Sequence, residues 1–207
     1  MKIYYSDILN EFVNNISVKD ATTPNITGAI NKYFLDKYNK QYKVLFSRKD
    51  NETESKEYLT DIMITNFKPL EIMETKNRKI LLKDINPEIY LAIETELGGS
   101  GGTSAFGVHK NVIEDYLKLL LIKSKSKIMV FTSLPYKKEE KHIYNRVSIM
   151  NELYQRTKKI TDAGMLLIHI EGYQDSYGNQ VKLSTEKNNF QGFYLCPTSS
   201  NYYELKV

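Results

Sequence analysis

The stretch that decides the fold is YLAIETEL, residues 90–97. Its apolar and β-branched side chains favour a strand. Side chains alternate between the two faces of a strand, so Glu94 and Glu96 project from the same face, with Cβ atoms roughly 6 to 7 Å apart. Two carboxylates at that spacing can hold a divalent cation, or one can bind metal while the other positions water. The alternative is that both acids form the solvent-facing side of an amphipathic strand.

The residues before this strand predict one helix and three further strands. The periodicity indicates a helix at 25–38, with Pro24 near its first turn, and strands at 42–46 and 57–67 that form a hairpin. We expect residues 79–85 and 89–97 to form a second strand pair across Pro87, within the same sheet.

The residues after this strand predict two crossovers. A glycine-rich loop at 98–102 leads into a helix at 107–122 with one apolar face. A strand at 127–134, a helix at 139–160 and a strand at 165–170 follow. The whole pattern predicts an α/β fold, a single domain with a mixed central β-sheet flanked by helices.

The chain has no internal repeat and no linker-like segment, so we expect one domain over residues 1–207. Its core should lie at about 24–170, with a polar C-terminal segment at 171–207 that either contacts base edges or forms a polar rim. The 41% of hydrophobic and 26% of charged residues are typical of a folded protein.

Charge and cysteine content bear on the partners and the compartment. The 29 basic and 25 acidic residues give a net charge of +4, which permits a polyanionic partner without requiring one. Cys196 is the single cysteine, and no signal-like segment or apolar run of roughly 20 residues is present. We therefore expect a cytoplasmic protein without a membrane segment.

A third acid would improve a metal site, because Mg²⁺ prefers oxygen ligands in octahedral geometry. Asp61 opens the apolar run 61–64 and could lie beside Glu94 on a neighbouring strand. Asp84 is nearer in sequence and could reach across the predicted strand pair. The sequence leaves both candidates open.

The order of these features resembles the PD-(D/E)xK nuclease superfamily, and within it the type II restriction endonucleases. A leading helix precedes the acid in Thr60-Asp61-Ile62-Met63-Ile64, followed by Ile93-Glu94-Thr95-Glu96, a helix and a strand. The resemblance covers roughly residues 24–134. Thr60 stands where proline is typical and Glu96 where lysine is typical, although some restriction endonucleases use a Glu-x-Glu form.

The resemblance implies an α-β-β-β-α-β core and Mg²⁺-dependent cleavage of double-stranded DNA by a homodimer. Asp61 and Glu94 would be metal ligands, and Glu96 would take the position that helps to activate water. No organic cofactor is implied. The long interval between Asp61 and Glu94 keeps Asp84 as an alternative first acid.

Two lysines of the helix at 107–122 are candidates for DNA contacts. Lys110 and Lys118 are eight residues apart and share roughly one helix face, from which they could contact the DNA backbone. The alternative is that both are ordinary solvated lysines. The adjoining glycine-rich loop is either a loop beside the DNA or a plain connection.

Other chemistries find less support in the sequence. His142 and His169 have no Cys or His neighbours at metal-ligand spacing, so no structural zinc site is expected. A non-catalytic DNA-binding or partner-binding module with the same fold remains the main alternative to an enzyme. A nuclease acting on other nucleic acids is the third hypothesis.

Overall fold

The computed structural model describes residues 1–16, 22–47, 59–77, 79–98, 104–158, 163–174 and 181–207. The helices are α1 (Tyr5–Asn15), α2 (Thr23–Tyr38), α3 (Ala105–Leu121) and α4 (His142–Thr157). The strands are β1 (Lys43–Phe46), β2 (Ile62–Thr65), β3 (Met73–Lys76), β4 (Lys79–Leu82), β5 (Ile89–Glu96), β6 (Lys127–Ser133), β7 (Met165–Gln174), β8 (Val181–Leu183), β9 (Phe190–Leu195) and β10 (Tyr202–Leu205).

The main sheet has eight strands in the order β1-β2-β5-β6-β7-β9-β10, with β8 paired to the end of β7. Strands β5, β6 and β7 are parallel to one another, and the other pairings are antiparallel. Every residue of β6 is buried, because helices cover both faces of the parallel centre. Over the described residues the protein is a single α/β domain with a mixed central sheet flanked by helices, as the sequence predicts.

The helices form two layers. The crossovers through α3 and α4 place both helices on one face, where α4 brings Tyr144 against Phe193 of β9. Helix α1 packs on the opposite face, where Phe12 contacts Phe190. Gly192 lies on that opposite face too, and a Cβ there would meet the Leu9 side chain at 2.3 Å. The close approach of α1 to β9 therefore requires glycine.

One predicted pairing is wrong. Residues 79–85 and 89–97 do not form a strand pair in one sheet: β4 pairs with β3 in a separate two-stranded sheet, while β5 pairs with β2 and β6. Asn77 adopts a φ of 48°, a conformation that Asn tolerates, and it turns the chain directly after β3. The predicted turn at residues 86–88 is about equally short, so the preference of Asn for this left-handed turn, rather than loop length, favours the pairing of β3 with β4.

The predicted hairpin of the first two strands is confirmed, because β1 and β2 are antiparallel neighbours. Its connection at 48–58 lies outside the described residues, as does the glycine-rich segment from residue 99 to 103. Helix α1 and strands β3, β8, β9 and β10 were not predicted. Segment 171–207 contributes β8, β9 and β10, and β9 lies within the main sheet. Among the described residues, no helix combines the length and apolarity that crossing a membrane would require.

Candidate active site

Asp61 and Glu94 face each other across two neighbouring strands. Ile62 of β2 pairs with Ile93 of β5 in antiparallel register, so Asp61, directly before β2, lies opposite Glu94. Directly opposed residues project from the same face of a sheet, with Cβ atoms roughly 4.5 to 5.5 Å apart. The register of one short strand thus brings together two acids that are 33 positions apart in the sequence.

Both carboxyl groups are held in place. Asp61 Oδ2 accepts hydrogen bonds from the Thr95 backbone amide at 2.9 Å and from Thr95 Oγ1 at 2.7 Å. Glu94 is only 2% exposed, and a side-chain hydrogen bond joins it to Asp61. The two acids form a constrained pair, hereafter the acid pair.

The acid pair holds a proton at neutral pH. Burial, followed by the negative charges of Asp61 and Asp115, raises the pKa of Glu94 to about 9, while Lys118 opposes this increase. A divalent cation would relieve the same repulsion by replacing that proton, since metal ligands bind in their deprotonated form. The donor set fits Mg²⁺, which commonly takes one or two carboxylates together with waters and substrate phosphate.

Helix α3 brings an ion pair to the acid pair. Lys118 Nζ donates to Asp115 Oδ1 at 2.6 Å, one helical turn earlier. The hydrogen bond to Asp115 raises the pKa of Lys118, and the charges of Asp115, Glu94 and Asp61 add to that increase. The Lys118 side chain is 55% exposed, so a cation beside the acids remains accessible to a substrate.

Glu96 is turned towards its own chain. Its Oε1 accepts a hydrogen bond from the Gly98 backbone amide at 2.9 Å, and Gly98 has a φ of 71° that favours glycine. Within the described ranges, no three His, Cys, Asp or Glu side chains are arranged to hold a metal ion. The structure therefore shows an acid pair, with Glu96 at the end of β5 bonded to the loop that follows.

Comparison with known proteins gives no family. No family model matches the chain, and no curated protein matches it. Among solved structures, the central domain of yeast acetyl-CoA carboxylase is similar, with a TM-score of 0.42 and 11% identity over 96% of this chain. The chain spans 29% of that carboxylase chain. A likeness at this TM-score carries no argument about the function of the acid pair.

The structure separates the two candidates for the first acid. Asp84 is exposed in the connection between β4 and β5. Two residues later, the Asn86 carbonyl accepts a hydrogen bond from Asn66, which follows the end of β2 remote from Asp61. The hydrogen bond between Asn66 and Asn86 therefore holds the connection that carries Asp84 at the end of β2 and β5 remote from the acid pair. Asp61 is the acid beside Glu94.

The two lysines predicted to contact DNA have different surroundings. Lys110 is exposed and forms an ion pair with Glu114 one turn later on α3. Eight helical residues, about 12 Å along the axis, separate it from Lys118. Only Lys118 is among the groups that shift the pKa of Glu94.

Sequence analysis missed Thr95 and Asp115. Thr95 lies between the two predicted acids, yet its hydrogen bonds to Asp61 depend on the pairing of β2 with β5. Asp115 and Lys118 have the spacing of a helical ion pair, a signal that was available in the sequence. Their closeness to Glu94 became visible only once α3 was placed on the sheet.

A cavity of about 570 Å³ lies away from the acid pair. It is lined by residues 86–89, 123–125 and 163–164, at the amino ends of the parallel strands. The acid pair lies at the opposite, carboxyl end of β5. Ligands of open α/β sheets bind beyond the carboxyl ends of the strands, and the perturbed carboxyl group is there as well, so we assign the chemistry to that end.

Proposed function

We propose that this protein is a Mg²⁺-dependent endonuclease that hydrolyses phosphodiester bonds of double-stranded DNA, of the type II restriction class. The observation that carries the proposal is the acid pair, with Glu94 buried, Asp61 half-buried and Lys118 beside them. Paired carboxylates next to an accessible cation suit a reaction in which a metal ion and a negatively charged phosphate must meet.

Each residue has a distinct part in the proposed reaction. Asp61 and Glu94 would bind the ion, which when bound lowers the pKa of a water and stabilises charge on the phosphate. Thr95 fixes the orientation of Asp61. Lys118 offers a positive charge to the phosphate beside the acid pair. Glu96 occupies the position that would assist the attacking water, and it must release the Gly98 amide to do so.

The substrate class and assembly extend the proposal. Double-stranded DNA and a homodimer follow from the resemblance to restriction endonucleases, because a symmetric dimer matches the two-fold symmetry of a palindromic site. Lys110 would be a backbone contact further along α3. The single cysteine, Cys196, supports a cytoplasmic location for this activity.

Cleavage assays test this proposal directly. Purified protein with Mg²⁺ and unmethylated phage and plasmid DNA should give discrete fragments, which disappear with EDTA and with the Glu94→Gln variant. Glu114→Gln is the matched control, because Glu114 is an exposed acid on α3 paired with Lys110. Intact DNA across many substrates, or equal cleavage by the Glu94→Gln variant, would contradict the proposal.

A non-catalytic DNA-binding module is the second candidate. The hydrogen bond from the Gly98 amide to Glu96 favours it, because that bond leaves two acids rather than three at the site. This candidate predicts DNA binding that is unchanged by EDTA and by the Glu94→Gln substitution, with no cleavage in Mg²⁺ or Mn²⁺. Loss of tight binding on chelation would argue against it.

A further inference from the structure

A second cluster of titratable side chains lies on the same face of the sheet as the acid pair. Two of the three histidines, His142 at the start of α4 and His169 on β7, line a cavity of about 190 Å³. Glu171, Asn189 and Gln191 also line it. The centroids of the two imidazole rings are 6.3 Å apart.

Each imidazole uses one nitrogen for the same residue, Ser133 at the end of β6. His169 Nε2 is 3.0 Å from Ser133 Oγ, and the His142 ring bonds to the Ser133 backbone. The second nitrogens, His169 Nδ1 and His142 Nε2, are buried, and neither has a hydrogen bond of normal geometry within the described residues, although the Gln191 side chain lies close enough to His169 to interact with it. Both rings therefore direct an unused nitrogen into the protein rather than into solvent.

The surroundings keep these nitrogens available as electron-pair donors. Burial and the nearby His142 together lower the pKa of His169 to about 3, against a hydrogen bond with Gln191, opposite on β9, that raises it. Burial and Arg146 also lower the pKa of His142, whereas Glu139, Glu171 and the bond to Ser133 raise it. A metal-bound histidine typically donates its other ring N–H to a carbonyl or another oxygen, which is the role open to Ser133 here.

We propose that His142 Nε2 and His169 Nδ1 bind a divalent transition metal ion, Zn²⁺ by preference, in this cavity. Metal–nitrogen bonds of about 2.0 to 2.1 Å in tetrahedral geometry place the centroids of two bound imidazoles roughly 5 Å apart, so the two rings would have to approach each other by about 1 Å from the observed 6.3 Å. In the described part of the chain, no third His, Cys, Asp or Glu completes a ligand set. Water therefore fills the remaining positions, with the exposed Glu171 at the edge of the cavity.

This site is chemically distinct from the acid pair. Imidazole nitrogen suits Zn²⁺ and Cu²⁺, whereas carboxylate oxygen suits Mg²⁺. Glu96 and His169 occupy one cross-strand row through Phe131, so two strand spacings, roughly 10 Å, separate their backbones. Zn²⁺ at the histidines should therefore bind whether or not the acid pair is intact.

Calorimetric titration with Zn²⁺ in a buffer containing Mg²⁺ tests this inference. The intact protein should bind one Zn²⁺ per chain in the micromolar range, and His142→Ala and His169→Gln should each weaken binding at least tenfold. His109→Ala removes the one other histidine and should bind as the intact protein does. Equal affinity in all three variants would overturn the inference.

A second measurement covers the case in which a substituted protein does not fold. In the unsubstituted protein, ¹⁵N-detected imidazole signals should shift on Zn²⁺ addition for His142 and His169 and stay constant for His109. Binding that disappears in Glu94→Gln, while the imidazole signals do not move, would assign the Zn²⁺ to the acid pair and overturn the inference. That result would leave the proposed nuclease activity untouched.

Discussion

Thr95 Oγ1 lies 2.7 Å from Asp61 Oδ2, and the Thr95 backbone amide bonds to the same oxygen. One residue of β5 thus fixes an acid on β2, while the preceding residue, Glu94, supplies the other half of the acid pair. The position of Asp61 therefore depends on the register of two strands and on one hydroxyl group. The amide contact remains whatever side chain stands at position 95, which makes the hydroxyl separately testable.

Removing that hydroxyl should impair the proposed reaction more than the fold. We expect Thr95→Val to lower kcat for DNA cleavage about tenfold, because Asp61 loses one of two anchoring bonds. The free energy of unfolding should fall by about 1 kcal/mol. Thr95→Ser keeps a hydroxyl and should restore most of the activity. Similar cleavage rates in the Val and Ser variants would show that the hydroxyl does not position Asp61.

Replacing Glu94 should change how stability depends on pH. Burial and Asp61 raise the pKa of Glu94 to about 9 from a usual 4.5, so the folded state keeps a proton that the unfolded state releases between those values. The stability that this bound proton contributes to the folded state is fully present below pH 4.5 and is lost as the pH rises towards 9. In EDTA, Glu94→Gln should therefore be more stable than the unsubstituted protein at pH 8, by up to about 5 kcal/mol. Denaturant unfolding at pH 5 and pH 8 measures this difference, and equal pH dependence of the two proteins would contradict it.

The two lysines of α3 should behave differently. Lys118→Met should lower kcat/KM for cleavage at least tenfold, because it removes the cation beside Glu94 and Asp61. Lys110→Met should stay within about threefold, since Lys110 is paired with Glu114. Cleavage rates and DNA affinities over a salt series distinguish these roles. If both residues are only phosphate contacts, each substitution will reduce the salt slope by about 1 and leave kcat unchanged.

A buried ion pair should dominate the stability of the segment that leads into α4. The Arg146 side chain is 4% exposed and donates two hydrogen bonds to Glu139, at 2.9 and 2.6 Å. Arg146→Met should lower the free energy of unfolding by about 3 kcal/mol, because Glu139 loses its partner in a largely buried site. Arg156→Met removes an exposed pair with Glu152 and should cost at most about 0.5 kcal/mol. Comparable losses in the two variants would refute this assignment.

The same pair predicts an acid transition. Arg146 lowers the pKa of Glu139 to about 2 from a usual 4.5, so the pair contributes stability above pH 4.5 and loses it as the pH falls towards 2. Across that pH range, the free energy of unfolding should fall more steeply with decreasing pH in the unsubstituted protein than in Glu139→Gln. Parallel curves would show that the pair does not set the acid stability.

Much of the central sheet could be predicted because its signals are local. The apolar runs of β6 and β7, the periodicity of α2 and α3 and the turn-rich connection after β1 all act over short stretches. The strand carrying Glu94 and the alternation that places its side chain follow from the same local rules. Asp61 could be named as a candidate, but only the pairing of β2 with β5 separates it from Asp84.

What could not be predicted depends on contacts distant in sequence. The separate β3–β4 hairpin depends on the turn at Asn77. The sequence alone does not show that β4 pairs with β3 across this turn rather than with β5. Helix α1 has Ile8, Leu9, Phe12 and Val13 on one buried face, a pattern that was present in the sequence and overlooked. Strand β9 is covered on both faces and shows no regular alternation, and its composition suggested a polar segment. Asp115 and Lys118 became part of the site through packing alone.

The close contact between Leu9 and Gly192 also has a consequence for biosynthesis. Helix α1 rests on a strand that is translated about 180 residues later, so it has no sheet to pack against while most of the chain is being made. Phe12 can pack early against Tyr33 and Phe34 of α2, but the Leu9 contact with β9 is missing during that interval, which leaves part of this face exposed to aggregation or chaperone binding. Translation of β9 is then the event that lets the sheet close over α1, so the last step of folding joins the earliest helix to one of the latest strands.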